Sequence, residues 1–226
     1  DGRFSINDPN IKMTFNGLAD LNEGINKYDF KASIEYADLN AINIFKRDST
    51  AILKGDVVMA MQGTTINDAK GFIEFKDASY TNDNKEYVFE DFNIVSYFQE
   101  EVRKITINSP DIIEGELSGV FKIEEIPELF KNAIGNVYTN YRSNEVTKDQ
   151  YLDYEFQIYD KIVDLFFPDV ALGENTTLKG QVASNEAQFK MTFRTPDIKL
   201  FDDIKLDKVN VQIDNQNPLF NTYVKI

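Results

Sequence analysis

The sequence of 226 residues contains no cysteine, no histidine and no tryptophan. Without cysteine and histidine, the chain has no disulfides, no thiolate or imidazole metal sites, no cysteine nucleophile and no histidine-dependent acid–base chemistry. The glycine-rich phosphate-binding motifs and the Gly-x-Ser-x-Gly nucleophile motif are missing as well. We therefore expect a protein that is not an enzyme and that uses no cofactor and no metal ion.

Positive charge is scarce, with 24 Lys and Arg against 38 Asp and Glu and a net charge of -14. Nucleic-acid binding needs clustered basic residues, so we expect no nucleic-acid partner, and anionic membrane surfaces are disfavoured for the same reason. The longest stretch without a charged residue is Val57–Asn67, 11 residues, which is too short for a transmembrane helix. The start at Asp1, without a signal-peptide pattern, leads us to expect a fragment of a longer chain.

Apolar and polar residues alternate with a period of two from one end of the chain to the other, as in Phe30, Ala32 and Ile34. This pattern predicts strands with one apolar face and one more polar, solvent-exposed face. It favours an antiparallel sheet, because parallel strands buried on both faces have continuous apolar sequences. The predicted apolar face consists of Ile11, Met13, Phe15, Phe30, Ile34, Tyr36, Val57, Met59, Met61, Ile73, Phe75, Phe92, Ile94, Phe98, Ile105, Ile107, Leu117, Phe121, Phe156, Ile158, Phe189, Met191, Phe193, Val209, Val211 and Ile213.

Helical signals are few. Ile126–Ile134 has a proline near a helix start, Glu128 in the first turn and apolar residues at helical spacing, which predicts a short helix. Lys161–Phe167, followed by Pro168, predicts a second one, and Leu39–Phe45 is a weaker third candidate. The predicted fold class is therefore all-β with one or two short helices.

Two short elements recur along the chain. An apolar strand end, a polar corner with proline and a new strand start occur at Ile6–Ile11, Ile107–Ile112 and Phe193–Ile198. An apolar residue, a charged residue and glycine occur at Leu53–Gly55, Ile113–Gly115 and Leu178–Gly180. Since no linker interrupts the pattern, we expect residues 1–226 to form one continuous, quasi-repetitive β body.

The apolar face allows two architectures. In a β-sandwich, two such faces cover each other at about 10 Å. In a long curved sheet, the apolar face lines an open groove that a partner or ligand must use. Strand lengths and connections vary widely here, and the helix near Pro127 interrupts the strand series in mid-chain, so we favour the curved antiparallel sheet with an apolar interior.

The chain resembles an internal segment of the AsmA-like family that includes TamB, in the form found in Bacteroidota. Loose strand patterns that cover most of the chain carry this resemblance, and none of them is a catalytic signature. They are Asp8–Ile11 with Phe15–Gly17, Asn26–Phe30, Leu53–Asp56, Gly71–Tyr80, Tyr87–Phe98, Phe166–Asp169, Leu178–Gly180, Ile213–Asn215 and Asn217–Phe220.

The resemblance implies a repeating β-groove, or β-taco, that shields phospholipid acyl chains during transport between the inner and outer membranes. It further implies a periplasmic location within an inner-membrane-anchored, envelope-spanning protein. Membrane anchoring and contact with an outer-membrane barrel of the TamA type would use regions that this sequence lacks. The alternatives are a factor of the translocation and assembly module that assembles outer-membrane proteins by β-strand augmentation, and a β-sandwich binding module.

Overall fold

The computed structural model describes residues 2–21, 24–83, 85–138, 142–185, 188–201, 204–217, 219 and 221–226. The fold is all-β with short helices, and every strand pair with a defined register is antiparallel, which confirms the predicted fold class. Neither helix in the described ranges is long and apolar enough to cross a membrane.

The strands are β1 Gly2–Asp8, β2 Ile11–Asp20, β3 Asn26–Asp38, β4 Ile52–Gly63, β5 Lys70–Thr81, β6 Glu86–Val88, β7 Phe92–Gln99, β8 Val102–Ser109, β9 Ile113–Val120, β10 Tyr151–Ile158, β11 Val170–Leu172, β12 Thr176–Ala183, β13 Phe189–Leu200, β14 Ile204–Asp214 and β15 Thr222–Lys225. The helices are a 3₁₀ turn at Ile123–Glu125, α1 at Ile126–Tyr138 and α2 at Asp160–Phe166.

Contacts divide the chain into two compact units, which are described separately below. Unit 1 comprises residues 1–96 and 107–111, and unit 2 comprises residues 97–106 and 112–226. Within unit 1 the strand order is β1-β2-β3-β4-β5-β7, and β6 pairs with the C-terminal end of β5. Within unit 2 the order is β9-β10-β12-β13-β14-β15, with β11 beside the end of β13.

Two of the three predicted helices form. The structure has α1 where Ile126–Ile134 predicted a helix, and α2 lies within one residue of the predicted Lys161–Phe167. The third prediction, Leu39–Phe45, was wrong, because this segment forms turns. The Asp38 carboxylate accepts the backbone N–H groups of Asn40 and Ala41, as a helix N-cap does, but the turn ends at Asn43, whose φ of 63° lies in the left-handed region.

The proline-containing repeat forms a corner at two of its three positions. Pro9 and Pro110 lie at the turns that connect β1 to β2 and β8 to β9. The predicted corner at Phe193–Ile198 was wrong, since β13 runs straight through Pro196. Thr195 and Asp197 keep the same register with β14 on either side of the proline, so only one ladder position is left unpaired.

Candidate functional site

Most of the predicted apolar residues of unit 1 lie on one face of its sheet, in rows that run across the strands. We call one of these the aromatic row and its neighbour the methionine row. The aromatic row is Phe4, Phe15, Ala32, Val57, Phe75 and Phe92, one residue from each strand in hydrogen-bonded order. The methionine row is Gly17, Phe30, Met59, Ile73 and Ile94. Met13 and Ile34 pair with each other beyond the aromatic row, and Met61 lies beyond the methionine row.

Aromatic rings join these rows into one surface, the apolar face of unit 1. The Phe4 and Phe15 rings stack with centroids 4.8 Å apart, and the Phe15 and Phe30 rings are 4.7 Å apart. At the other side, Phe75 and Phe92 meet edge to face at 5.9 Å. Aromatic pairs favour offset or edge-to-face geometry, and these rings pack against one another in this way along the apolar face.

This face is not a closed core. Each of the predicted residues that it contains is partly exposed, and Phe4 and Ile6 at its edge are 49 % and 38 % exposed. Ala32 is the buried member of the aromatic row. A core of this size would normally enclose its large side chains completely, so the face retains apolar surface that water can reach.

The other face of the same strands, which we call the polar face, has a polar central row. This row lies between the aromatic and methionine rows along the strands and consists of Arg3, Asn16, Lys31, Val58, Glu74 and Asn93. The Lys76 ammonium lies 3.2 Å from the Glu74 carboxylate on this side. The next row on this side is Leu18, Asp29, Ala60, Phe72 and Val95, so the sheet separates charged from apolar side chains in its central rows only.

A bulge in β3 moves one predicted residue off the apolar face. Ile34 pairs with Met13, but Tyr36 pairs with Lys12, because β3 carries one extra residue between these pairs. Lys12 belongs to the polar face, so the register assigns Tyr36 to that side. Ile11 pairs with the buried Ala37 and stays at the end of the apolar face.

Unit 2 also brings its predicted residues onto one face, but parts of that face are covered. The central row is Gly115, Phe156, Leu178, Phe193, Val211 and Val224, and the tyrosine row next to it is Leu117, Tyr154, Gly180, Met191 and Ile213. Beyond the tyrosine row lies the covered row, Gly119, Leu152, Val182 and Phe189. Beyond the central row lies the threonine row, Ile158, Thr176, Thr195 and Val209.

Helix α1 closes the covered row. The Phe130 ring lies 6.3 Å from Phe189 and 5.4 Å from Tyr154, and Phe189 is only 1 % exposed. Leu129 and Ala133 on the same side of α1 are buried, whereas Ile134 is exposed. Burial raises the pKa of the Tyr154 phenol, whose hydroxyl donates a hydrogen bond to the Lys190 carbonyl.

Two polar clamps hold α1 in this position. The Glu125 carboxylate, just before the helix, accepts hydrogen bonds from the Thr147 backbone N–H and hydroxyl and from the Gln150 amide, at 2.7–2.8 Å. Chiefly the backbone bond from Thr147 lowers the pKa of Glu125 to about 2. In mid-helix, the Asn132 amide donates to the Asn144 carbonyl and accepts from its N–H.

The remaining predicted residues are more scattered. Phe98 is exposed and stacks 5.4 Å from the Arg103 guanidinium, and Ile105 is buried in the neighbouring strand β8. Ile107 is partly exposed, and Phe121 is buried after the end of β9.

The prediction omitted some apolar positions that belong to these rows. Phe4 and Ile6 extend the face of unit 1, and Leu152, Tyr154, Leu178 and Val182 extend that of unit 2. Alternation marked all of them, since Leu152 and Tyr154 are in phase with Phe156 in the sequence. Within the described part of the chain, no cluster of acidic residues could hold a metal ion.

Comparisons with known proteins give this arrangement no relative: no family model matches the chain, and no curated protein or solved structure matches it.

Proposed function

We propose that the apolar face of unit 1 binds the acyl chains of phospholipids and shields them from water. The observation that carries this proposal is the partial exposure of the large side chains across the aromatic and methionine rows, neither of which contains a charged side chain. An apolar surface of this extent is costly in water unless a ligand or partner covers it.

The chemistry of the face favours an acyl chain over a peptide. The strands between β1 and β7 pair on both sides, so their backbone groups already have partners in the sheet. A peptide laid across the rows would bury its own N–H and C=O groups without hydrogen bonds, at a cost of about 1–3 kcal/mol each. An acyl chain has no such groups, and the face can accept it without a polar pocket.

The dimensions and energies are suitable for this ligand. Neighbouring strands lie about 4.8 Å apart, so a row across six strands is roughly 24 Å long. Each methylene group removed from water contributes about 0.8 kcal/mol. Because Phe, Met, Ile and Val follow one another along the rows, successive positions of an acyl chain have similar energies, and the chain can slide with small barriers.

The resemblance described above supports a role for this binding in phospholipid transport between the inner and outer membranes. Under this proposal the protein works without catalysis in the periplasm, as a segment of an envelope-spanning protein. Direction and energy come from partners, among them an outer-membrane barrel of the TamA type that meets other regions of the longer protein. The net charge of -14 keeps the surface from adhering to anionic lipid head groups.

A binding assay with matched variants tests the proposal. Met59 and Val58 are neighbours in β4 that lie on the apolar and polar faces, and both are partly exposed. Met59→Glu introduces a charge into the methionine row and should reduce binding of a fluorescent long-chain acyl phospholipid at least tenfold. Val58→Glu should leave binding within twofold of the unmodified protein. Equal binding by both variants would contradict the proposal.

One observation favours the second candidate function, β-strand augmentation. In the described part of the chain, β1 pairs on one side only, and its seven residues are all exposed. It carries no proline and its register with β2 contains no bulge, so two of the usual protections of an edge strand are absent. An added strand would place apolar side chains beside Phe4 and Ile6 and an acidic one beside Arg3.

Proline substitutions separate the two functions. Alternate residues of β1 direct their N–H groups to the free edge, so proline is placed at Ser5 in one variant and at Ile6 in another. Loss of binding to an extended, alternating apolar peptide in one of the variants, with phospholipid binding unchanged, would support augmentation. If neither proline changes peptide binding, this second function is excluded.

A further inference from the structure

We infer that α1 is a fixed wall that confines acyl chains in unit 2 to a lane formed by Leu178, Met191, Phe193 and Val211. This inference rests on the proposed function, since it concerns where acyl chains lie when they are bound. It adds a binding surface in part of unit 2 and excludes the rest of the apolar face of that unit.

The lane is the part of the face that stays open between two closed rows. Leu178, Phe193 and Val211 follow one another in the central row, and Met191 lies beside Phe193 in the tyrosine row. These four side chains are partly exposed, like those of unit 1. The two rows are about 7 Å apart along the strands, so the lane is narrow.

One side of the lane is closed by α1. Leu152 and Val182 have no exposed surface and Phe189 almost none, so an acyl chain cannot reach the covered row without displacing the helix. Phe130 extends from α1 over Tyr154 and thereby covers part of the tyrosine row as well. The Tyr154 ring in turn lies over Gly180, where a side chain would collide with its hydroxyl.

The other side is closed by a hydrogen-bonded pair. The Thr176 and Thr195 hydroxyls lie 2.7 Å apart and both residues are buried, and the next residue in this row, Val209, is also buried. Thr176 also reaches the Gly173 carbonyl, and Thr195 reaches the Asp197 carbonyl. The two hydroxyls are therefore satisfied internally, and together with the buried Val209 they close this side of the lane opposite Leu178, Phe193 and Val211.

The contacts that anchor α1 indicate that the helix stays in place and does not open as a mobile cover. Its apolar side is buried against the sheet, and the Glu125 and Asn132 clamps bind it to the segment 144–150 from the other side. Opening this contact would expose Leu129, Leu152 and Phe189 together. Exposure of three large apolar side chains is unfavourable in water, so the closed position of α1 is the stable one.

The experiment uses phosphatidylethanolamine whose acyl chain carries a diazirine, added to the purified chain, irradiated and mapped by mass spectrometry. We expect labels at Phe193 and Val211 in unit 2 and at Met59 and Phe75 in unit 1. We expect at least tenfold less label at Leu152, Val182 and Phe189. A label at Phe189 as strong as that at Phe193 would overturn the inference.

Two variants complete the test. Phe130→Ala removes the ring between α1 and Phe189 and should raise the label at Phe189 or Tyr154 several-fold. Lys131→Ala, at an exposed position of the same helix, should change nothing. If Phe130→Ala folds poorly, the labelling pattern of the unmodified protein is still sufficient to test whether acyl chains are confined to the lane. Labels in unit 1 with none in unit 2 would refute the lane but not the proposed function, whereas no label in unit 1 would refute the proposed function.

Discussion

Phe130 on α1 packs edge-on against Phe189 on β13, with ring planes at 82° and centroids 6.3 Å apart. Phe15 and Phe30 in unit 1 lie even closer, at 4.7 Å, but both remain partly exposed. The difference is the helix, which supplies a second layer in unit 2. The same alternation of apolar residues therefore produces a closed core under α1 and an open floor in unit 1.

The first prediction concerns this difference in packing. Phe189→Ala should lower the free energy of unfolding by about 3–5 kcal/mol, because it removes a fully buried ring and leaves a cavity. Phe75→Ala removes a ring that water already reaches and should cost only about 1–2 kcal/mol. Urea unfolding of both variants measures the two values, and equal losses would mean that the face of unit 1 is also closed.

A second prediction concerns the clamp at Glu125. Glu125→Gln should lower the free energy of unfolding by about 1.5 kcal/mol, the lower end of the range for hydrogen bonds to a charged group, because the side chain is partly exposed. Glu124→Gln is the matched control at the exposed neighbouring position and should have no measurable effect. If the two variants unfold alike, the clamp does not stabilise α1.

The lowered pKa of Glu125 predicts that the stability contributed by this clamp depends on pH. Its pKa is lowered from 4.5 to about 2 in the folded protein, chiefly by the hydrogen bond from the Thr147 backbone. The stabilisation is therefore fully present above pH 4.5 and is lost as the pH falls from 4.5 towards 2. The difference in urea midpoint between the unmodified protein and Glu125→Gln should be constant near neutral pH and shrink over this interval. A difference that does not shrink would contradict the assignment.

A glycine substitution tests the strand packing beneath Tyr154. A side chain at Gly180 would collide with the Lys190 carbonyl oxygen and with the Tyr154 hydroxyl, so the strands would have to separate. Gly180→Ala should therefore cost about 3 kcal/mol. Gly2→Ala, where a methyl group meets open space, should be neutral. Thermal unfolding of the two variants distinguishes them, and a neutral Gly180→Ala would contradict the register of β12 with β10 and β13.

The strands themselves could be predicted because alternation is a local property of the sequence. Val57, Met59 and Met61 read as one face in the sequence, and they lie on one face in the structure. Features that depend on a neighbouring strand could not be predicted. The bulge that moves Tyr36 becomes visible only in the pairing with Lys12, and β13 passes through Pro196 because its partner strand leaves that position unpaired.

The sequence also could not predict which parts of the apolar face are open and which are covered. Phe189 and Phe193 have the same phase in one strand, and nothing local distinguishes them. Their environments differ because α1 lies over the first and not over the second. The segment Leu39–Phe45 shows the converse, since its apolar spacing suggested a helix and Asp38 caps its first turn, but the chain leaves the helical path at Asn43, where φ is 63°.

The register of the bulge can be tested with the same ligand. A photoreactive side chain at Ile34 should capture phospholipid, because Ile34 pairs with Met13 on the apolar face. One at Tyr36, which pairs with Lys12, should capture at least fivefold less. Gel analysis of the cross-linked adducts measures the ratio, and equal capture at both positions would mean that the bulge does not separate them.

The central claim is that the apolar face of unit 1 is open to acyl chains, and cross-linking at Phe75 and Glu74 tests it most directly. These neighbours in β5 are both partly exposed but lie on opposite faces. With a photoreactive side chain at either position in living cells, we predict phospholipid adducts at Phe75 and none at Glu74. Protein adducts without lipid at Phe75, repeated at Met59, would show that another protein surface covers this face and would contradict the account.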